Sequence, residues 1–149
     1  MSYCRKSNFP VTKQLEEHFQ KDYLNYNIAK LHFEKRDYNK VIEVLREVEF
    51  KDIFITIDAR TLLVKTYFEL DEYETLTSQL DSFRQFIVRK KELAYHSKYY
   101  LNTIRFIRQL MQLRPRESKL AGKLKKKIES EAMLTEKSWL LEKIAGIAV

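Results

Sequence analysis

Along most of this chain, apolar residues recur every three or four positions and are separated by polar and charged residues. This spacing puts the apolar side chains on one face of a helix, because an α-helix has about 3.6 residues per turn. The pattern predicts helices over about residues 23–33, 37–48, 52–70, 72–90, 93–113 and 116–133. Sustained alternation of apolar and polar residues, which would indicate strands, is missing. We therefore predict an all-α chain.

Local propensity and periodicity disagree in the stretch from Ile53 to Ile57. Its β-branched residues favour a strand by propensity alone. The helical spacing nevertheless continues through this stretch for about five turns, and a lone strand would have nothing to pair with. We therefore predict that the stretch opens a helix.

Thr135 and Gly146 predict the ends of a last short helix. The Thr135 hydroxyl can accept a hydrogen bond from the unpaired amides of a first turn, so we predict that it is an N-cap. Gly146 suits the left-handed backbone that often ends a helix. A terminal helix over about residues 135–146 brings the predicted total to about 6–8 helices.

The predicted helices repeat at an offset of 35 residues, at which Asp37-Tyr38 recurs as Glu72-Tyr73. The matching apolar or aromatic positions are Ile28 and Leu63, His32 and Tyr67, Phe33 and Phe68, Val41 and Leu76, Leu45 and Leu80, and Val48 and Phe83. Paired helices with a period of about 34 residues are typical of tetratricopeptide (TPR) repeats. We predict one domain over residues 1–149 with helical hairpins at about 22–50, 52–90 and 93–133. The third predicted hairpin has the same order of helix, turn and helix, but its residues do not match those of the first two hairpins.

The segments Tyr26–Glu34, Asp37-Tyr38, Phe50–Asp52 and Thr66–Leu70 resemble the C-terminal part of long, uncharacterised bacterial TPR-repeat proteins. The similarity covers about residues 21–113, and the closing segment Lys137–Lys143 is similar to their last helix. The resemblance implies a TPR-like, right-handed stack of antiparallel helical hairpins and no enzymatic activity. It also implies that the chain is a terminal piece of a longer solenoid.

In a TPR stack the first helix of each hairpin lines a concave groove, so the resemblance also implies a groove here. It would present Tyr26, Lys30 and Phe33 from the first hairpin, and Thr61, Lys65 and Phe68 from the second. The repeat is degenerate, because the small residue expected where two helices cross is Ala29 in one hairpin and Val64 in the other. The aromatic residues fit a peptide-binding groove and core packing alike.

Composition argues against most kinds of catalytic site. With 2 glycines there is no glycine-rich phosphate loop, and the single cysteine, Cys4, has no second cysteine for a disulfide or a metal cluster. The three histidines, His18, His32 and His96, are far apart in the sequence and have no further ligands at metal-binding spacing. We predict a non-enzymatic protein with no metal and no cofactor.

Two other features bear on catalysis and on location. Glu34 and Glu69 recur at one repeat position, but each follows a lysine by four residues, which is typical of surface ion pairs. No apolar run approaches the roughly 20 residues of a membrane span. We therefore predict a cytoplasmic protein.

The positive charge is concentrated in one segment. Residues 84–127 carry 14 Lys and Arg against 2 Asp and Glu, while residues 1–83 carry 12 against 15. Within the basic segment, Arg105 and Arg108 lie one turn apart beside Tyr99, Tyr100 and Phe106. Lys119, Lys123, Lys126 and Lys127 recur at helical spacing and form a predicted stripe along the sixth helix.

Three functions fit this basic segment. It can be a solvated face, a docking surface for an acidic protein or peptide, or a nucleic-acid site that pairs phosphates and stacks bases on tyrosines. A membrane surface fits less well, because the apolar face formed by Leu120, Leu124 and Ile128 is narrow. We predict a protein–protein interaction module, with nucleic-acid binding through residues 84–127 as the alternative.

Overall fold

A computed structural model describes residues 10–46 and 51–148 of the chain. These residues form seven α-helices and a short 3₁₀ helix, with no strand among them. The helices are α1 (Pro10–Glu34), α2 (Tyr38–Arg46), α3 (Ile53–Glu69), α4 (Tyr73–Arg89), α5 (Ser97–Gln112), α6 (Ser118–Ser130) and α7 (Lys137–Ala148), and the 3₁₀ helix is Lys91–Leu93. The prediction of an all-α chain is confirmed.

The stretch from Ile53 to Ile57 opens α3, as its periodicity predicts. Asp52 caps this helix, because its carboxylate accepts hydrogen bonds from the Phe54 and Ile55 amides at 2.9 and 3.0 Å. The cap and the tertiary contacts of α3 together outweigh the strand propensity of the β-branched residues.

Replacing Asp52 by alanine is expected to lower the free energy of unfolding by about 1 kcal/mol, because two first-turn amides lose their acceptor. Asp52→Asn is the matched control, since asparagine keeps an acceptor oxygen and caps helices about equally well. Urea unfolding of the three proteins measures the difference. Equal losses in both variants would show that the carboxylate does not act as a cap.

The turns that end α1 and α3 are closed by the same backbone hydrogen bonds at an offset of 35 residues. In these bonds Arg36 and Asp37 donate to Phe33 and His32, and Asp71 and Glu72 donate to Phe68 and Tyr67. Arg36 and Asp71 both adopt the left-handed backbone, with φ of 62° and 57°. This is the conformation that commonly follows the last turn of a helix. The repeat predicted from the sequence is therefore present in the backbone of both turns.

The recurring tyrosine after each turn contacts the phenylalanine before it. The ring centroids lie 5.4 Å apart for Phe33 and Tyr38 and 5.7 Å apart for Phe68 and Tyr73. Burial and the neighbouring Asp71 carboxylate raise the pKa of Tyr73 above its usual value. In both hairpins the acidic residue thus donates a backbone hydrogen bond that closes the turn, and the tyrosine after it contacts the phenylalanine before the turn.

The chain divides into two compact units, Met1–Leu76 and Thr77–Val149. In the first unit α1 packs on α2, and both pack on α3. We call their shared cluster the first core; it consists of Ala29, Val41, Leu45, Ala59 and Leu62. In the second unit α7 packs on α5 and α6, and Phe106, Trp139 and Leu140 are among its buried residues. One domain over residues 1–149 stays a prediction.

The predictions for Thr135 and Gly146 are wrong. The last helix begins at Lys137 and continues through Gly146 to Ala148, and neither glycine has a positive φ. Thr135 is not the cap because its hydroxyl lies 2.7 Å from the hydroxyl of Thr103 on α5. The Asn102 amide likewise donates to the Met133 carbonyl at 2.8 Å. These hydrogen bonds hold the segment between α6 and α7 against α5.

Two further differences concern helix starts. Helix α1 begins at Pro10, well before the predicted start at residue 23, and proline is favoured in the first turn because its missing amide hydrogen is not needed there. The predicted helix over 93–113 starts only at Ser97, after the 3₁₀ helix Lys91–Leu93. Val48, which matches Phe83 in the repeat, and Cys4 lie outside the described residues.

Candidate binding surface

Helix α6 separates apolar and basic residues onto opposite sides. Ala121, Leu124 and Ile128 are buried. Lys119, Lys123 and Lys126 are exposed and fall within about 60° of one another around the helix, since each residue advances about 100°. Lys127 is exposed beside them. We call Lys119, Lys123, Lys126 and Lys127 the lysine face.

Within residues 10–46 and 51–148, no carboxylate lies at ion-pair distance from the lysine face. The nearest acidic residue before it in sequence, Glu117, accepts a hydrogen bond from the Arg114 amide at 2.9 Å. Lys127 lies in the last turn of α6, where a cation interacts favourably with the helix dipole. The other three lysines have no such helix-terminal contribution, so their charges are directed to solvent.

Two arginines of the basic segment, Arg105 and Arg108, are already engaged with carboxylates. Arg108 lies 2.6 Å from the Asp81 carboxylate. Arg105 lies 3.5 Å from the Glu131 carboxylate, and its guanidinium stands 4.8 Å from the centre of the Phe106 ring. These two arginines therefore differ from the lysine face, because each already has a carboxylate partner in the same chain.

The tyrosines next to the arginines are half-buried. The Tyr100 ring lies 6.4 Å from the Phe83 ring, which belongs to the core of the second unit. Tyr99 is half-buried on the same helix. The exposed aromatic near this helix is Tyr95, whose ring contacts His96 at a centroid distance of 5.0 Å. Tyr99 and Tyr100 therefore expose only part of their rings for stacking with bases.

Of the residues predicted to line a groove, some are packed in the interior of the first unit and others are exposed. Tyr26 and Phe33 pack against the first core, and Phe68 is buried. The Lys65 ammonium lies 4.9 Å from the centre of the Phe33 ring, at cation–π distance. Lys30 is exposed. The aromatic members thus contribute to packing, and the two lysines differ in environment.

No protein-family model, curated protein or solved structure matches this chain.

Two kinds of feature are not found in the described part of the chain. No three histidine, cysteine, aspartate or glutamate side chains are grouped there so as to hold a metal ion. None of its helices combines the length and the apolar character that crossing a membrane requires.

Sequence reasoning missed a buried carboxylate in the first unit. Asp22 is almost fully buried and accepts a hydrogen bond from the Lys51 amide at 3.1 Å. His18 lies 3.7 Å from its other oxygen, at the edge of a pocket of about 480 Å³. The repeat gives a sequence signal for this burial. At the offset of 35 residues, Asp22 corresponds to Ile57, an apolar residue that is also buried. Asp22 connects α1 to the residues that precede α3.

Proposed function

We propose that this protein is a non-enzymatic, TPR-like interaction module that binds an acidic segment of another protein through the lysine face of α6. The observation that carries the proposal is the contrast within the basic segment. Arg105 and Arg108 are paired with carboxylates of the same chain, whereas the lysine face has no described carboxylate within ion-pair distance. The lysine face can therefore pair with carboxylates supplied by a partner.

An acidic protein segment fits this surface better than nucleic acid does. Leu120, which is 50% exposed, lies one turn from Lys123 on the helix surface and offers an apolar contact of the kind found in protein interfaces. Binding to single strands depends on exposed aromatic rings next to the basic groups. In the described residues of α6 there is no aromatic side chain at all. Cys4, alone in the chain, is consistent with a reducing, cytoplasmic location for this function.

Reversing three charges of the lysine face, Lys119→Glu, Lys123→Glu and Lys126→Glu, is expected to abolish binding to acidic ligands. The probe is a fluorescent polyglutamate peptide, with binding measured by anisotropy at several salt concentrations. Binding to the unaltered protein should weaken with salt, and the triple variant should bind at least about tenfold less tightly. The control variant reverses Lys13, Lys40 and Lys91, which are also exposed, and thus has the same net charge.

The same measurement includes a single-stranded DNA of equal charge. If the control variant and the triple variant bind polyglutamate equally, the lysine face is not the site. Tighter binding of the DNA than of polyglutamate, lost in the triple variant, would replace the proposal with the nucleic-acid function. Helical content measured by circular dichroism shows that each variant is folded.

A further inference from the structure

Helix α1 presents large apolar side chains to solvent on the side away from the first core. Leu24 and Leu31 are 59% and 50% exposed, and Ile28 between them is also exposed. Their spacing of four and three residues places them in one line along the helix. We call Leu24, Ile28 and Leu31 the outer face of α1.

The repeat shows what happens to this face in the next hairpin. At the offset of 35 residues, Leu24 and Leu31 correspond to Ala59 and Thr66 on α3. Ala59 is 6% exposed and Thr66 is fully buried. Ala59 belongs to the first core, together with Ala29 of α1 and Val41 of α2. The face that is open on α1 is thus covered on α3 by the preceding hairpin.

A second pair of positions shows that the difference is specific to one face. Phe19 on α1 corresponds to Phe54 on α3. The two side chains are 47% and 52% exposed, so this position is open in both helices. The difference in exposure between α1 and α3 is therefore confined to one side, the side of α3 against which α1 and α2 pack.

We infer that the outer face of α1 is a docking surface for one further helical hairpin of the same repeat, packed as α1 and α2 pack on α3. The occupant must present small or branched apolar residues where the first hairpin presents Ala29, Val41 and Leu45. Two equivalent positions on α1 are polar, Gln20 and Asn27 in place of Ile55 and Leu62, so part of this interface is polar. The inference does not depend on the lysine face.

The test adds one further hairpin to the chain. A second copy of residues 17–51 is inserted immediately before Glu17, which keeps the offset of 35 residues between successive hairpins. Cysteine replaces Leu31 in the original copy, on a Cys4→Ser background, and thiol labelling reports its exposure. The added hairpin is expected to slow labelling of Leu31→Cys at least about tenfold, because labelling then requires opening of the new contact.

Two controls make the result specific. The first carries lysine at the positions equivalent to Val41 and Leu45 in the added copy only, which should restore fast labelling. The second places the reporter at Phe19, where labelling should stay fast with and without the added hairpin. Equal labelling rates at Leu31→Cys with and without the added hairpin would overturn the inference. Slow labelling in the original chain, accompanied by a dimer in analytical ultracentrifugation, would overturn it in favour of a second copy.

Discussion

Replacing Val41 by aspartate is expected to unfold the first unit or to lower its free energy of unfolding by about 3–5 kcal/mol. Val41 is completely buried on α2, in the first core between α1 and α3. A carboxylate there either loses its hydration without a partner or must take up a proton, and the apolar contacts of valine are lost as well. The first core is the contact that joins the first hairpin to α3, so this substitution tests the packing on which the repeat depends.

Asn39→Asp is the matched control for this prediction. It introduces the same side chain on the same helix, but at an exposed position in the first turn, where a negative charge is favourable. Its effect on urea unfolding should stay within about 0.5 kcal/mol of zero. The packing described for α1, α2 and α3 is wrong if Val41→Asp is as stable as the control.

Replacing Phe106 by alanine should lower the free energy of unfolding of the second unit by about 3–5 kcal/mol. The Phe106 side chain is fully buried on α5, and the Arg105 guanidinium lies over its ring. Alanine leaves a cavity in this core and removes the cation–π contact at the same time. The arginine keeps the Glu131 carboxylate as a partner, so its charge is not left unpaired.

Trp139 makes this loss measurable, because it is the only tryptophan of the chain and is buried in the second unit. Its fluorescence during urea unfolding reports the stability of the surrounding core. Val88→Ala is the matched control, since Val88 is exposed and its truncation should change stability by less than about 0.5 kcal/mol. A similar midpoint for both variants would contradict the placement of Phe106 in the core.

Much of the fold could be predicted from periodicity because packing and backbone conformation repeat together. Val41 and Leu76 match at the repeat offset and both are completely buried. The start of α1 was harder to predict, because residues 10–22 are mostly polar and contain few apolar residues to show a period. Thr135 shows the limit of local rules: its hydroxyl bonds to Thr103, 32 residues away, and is therefore not used as a cap.

The candidate site could be predicted only in part. The lysine face follows from spacing within one helix, so the sequence was sufficient to propose it. The pairing of Arg108 with Asp81 joins residues 27 apart in sequence, and no local pattern indicates it. This pairing distinguishes Arg108 from the lysine face, although sequence alone places both in one basic segment.

The composition of the lysine face also has a kinetic consequence. Its positive charges are exposed and concentrated on one helix, which accelerates the approach of an acidic partner. Leu120 is the exposed large apolar residue beside them, so little apolar area is available to slow dissociation. Partners bound through this helix are therefore expected to associate quickly, dissociate quickly and exchange with one another.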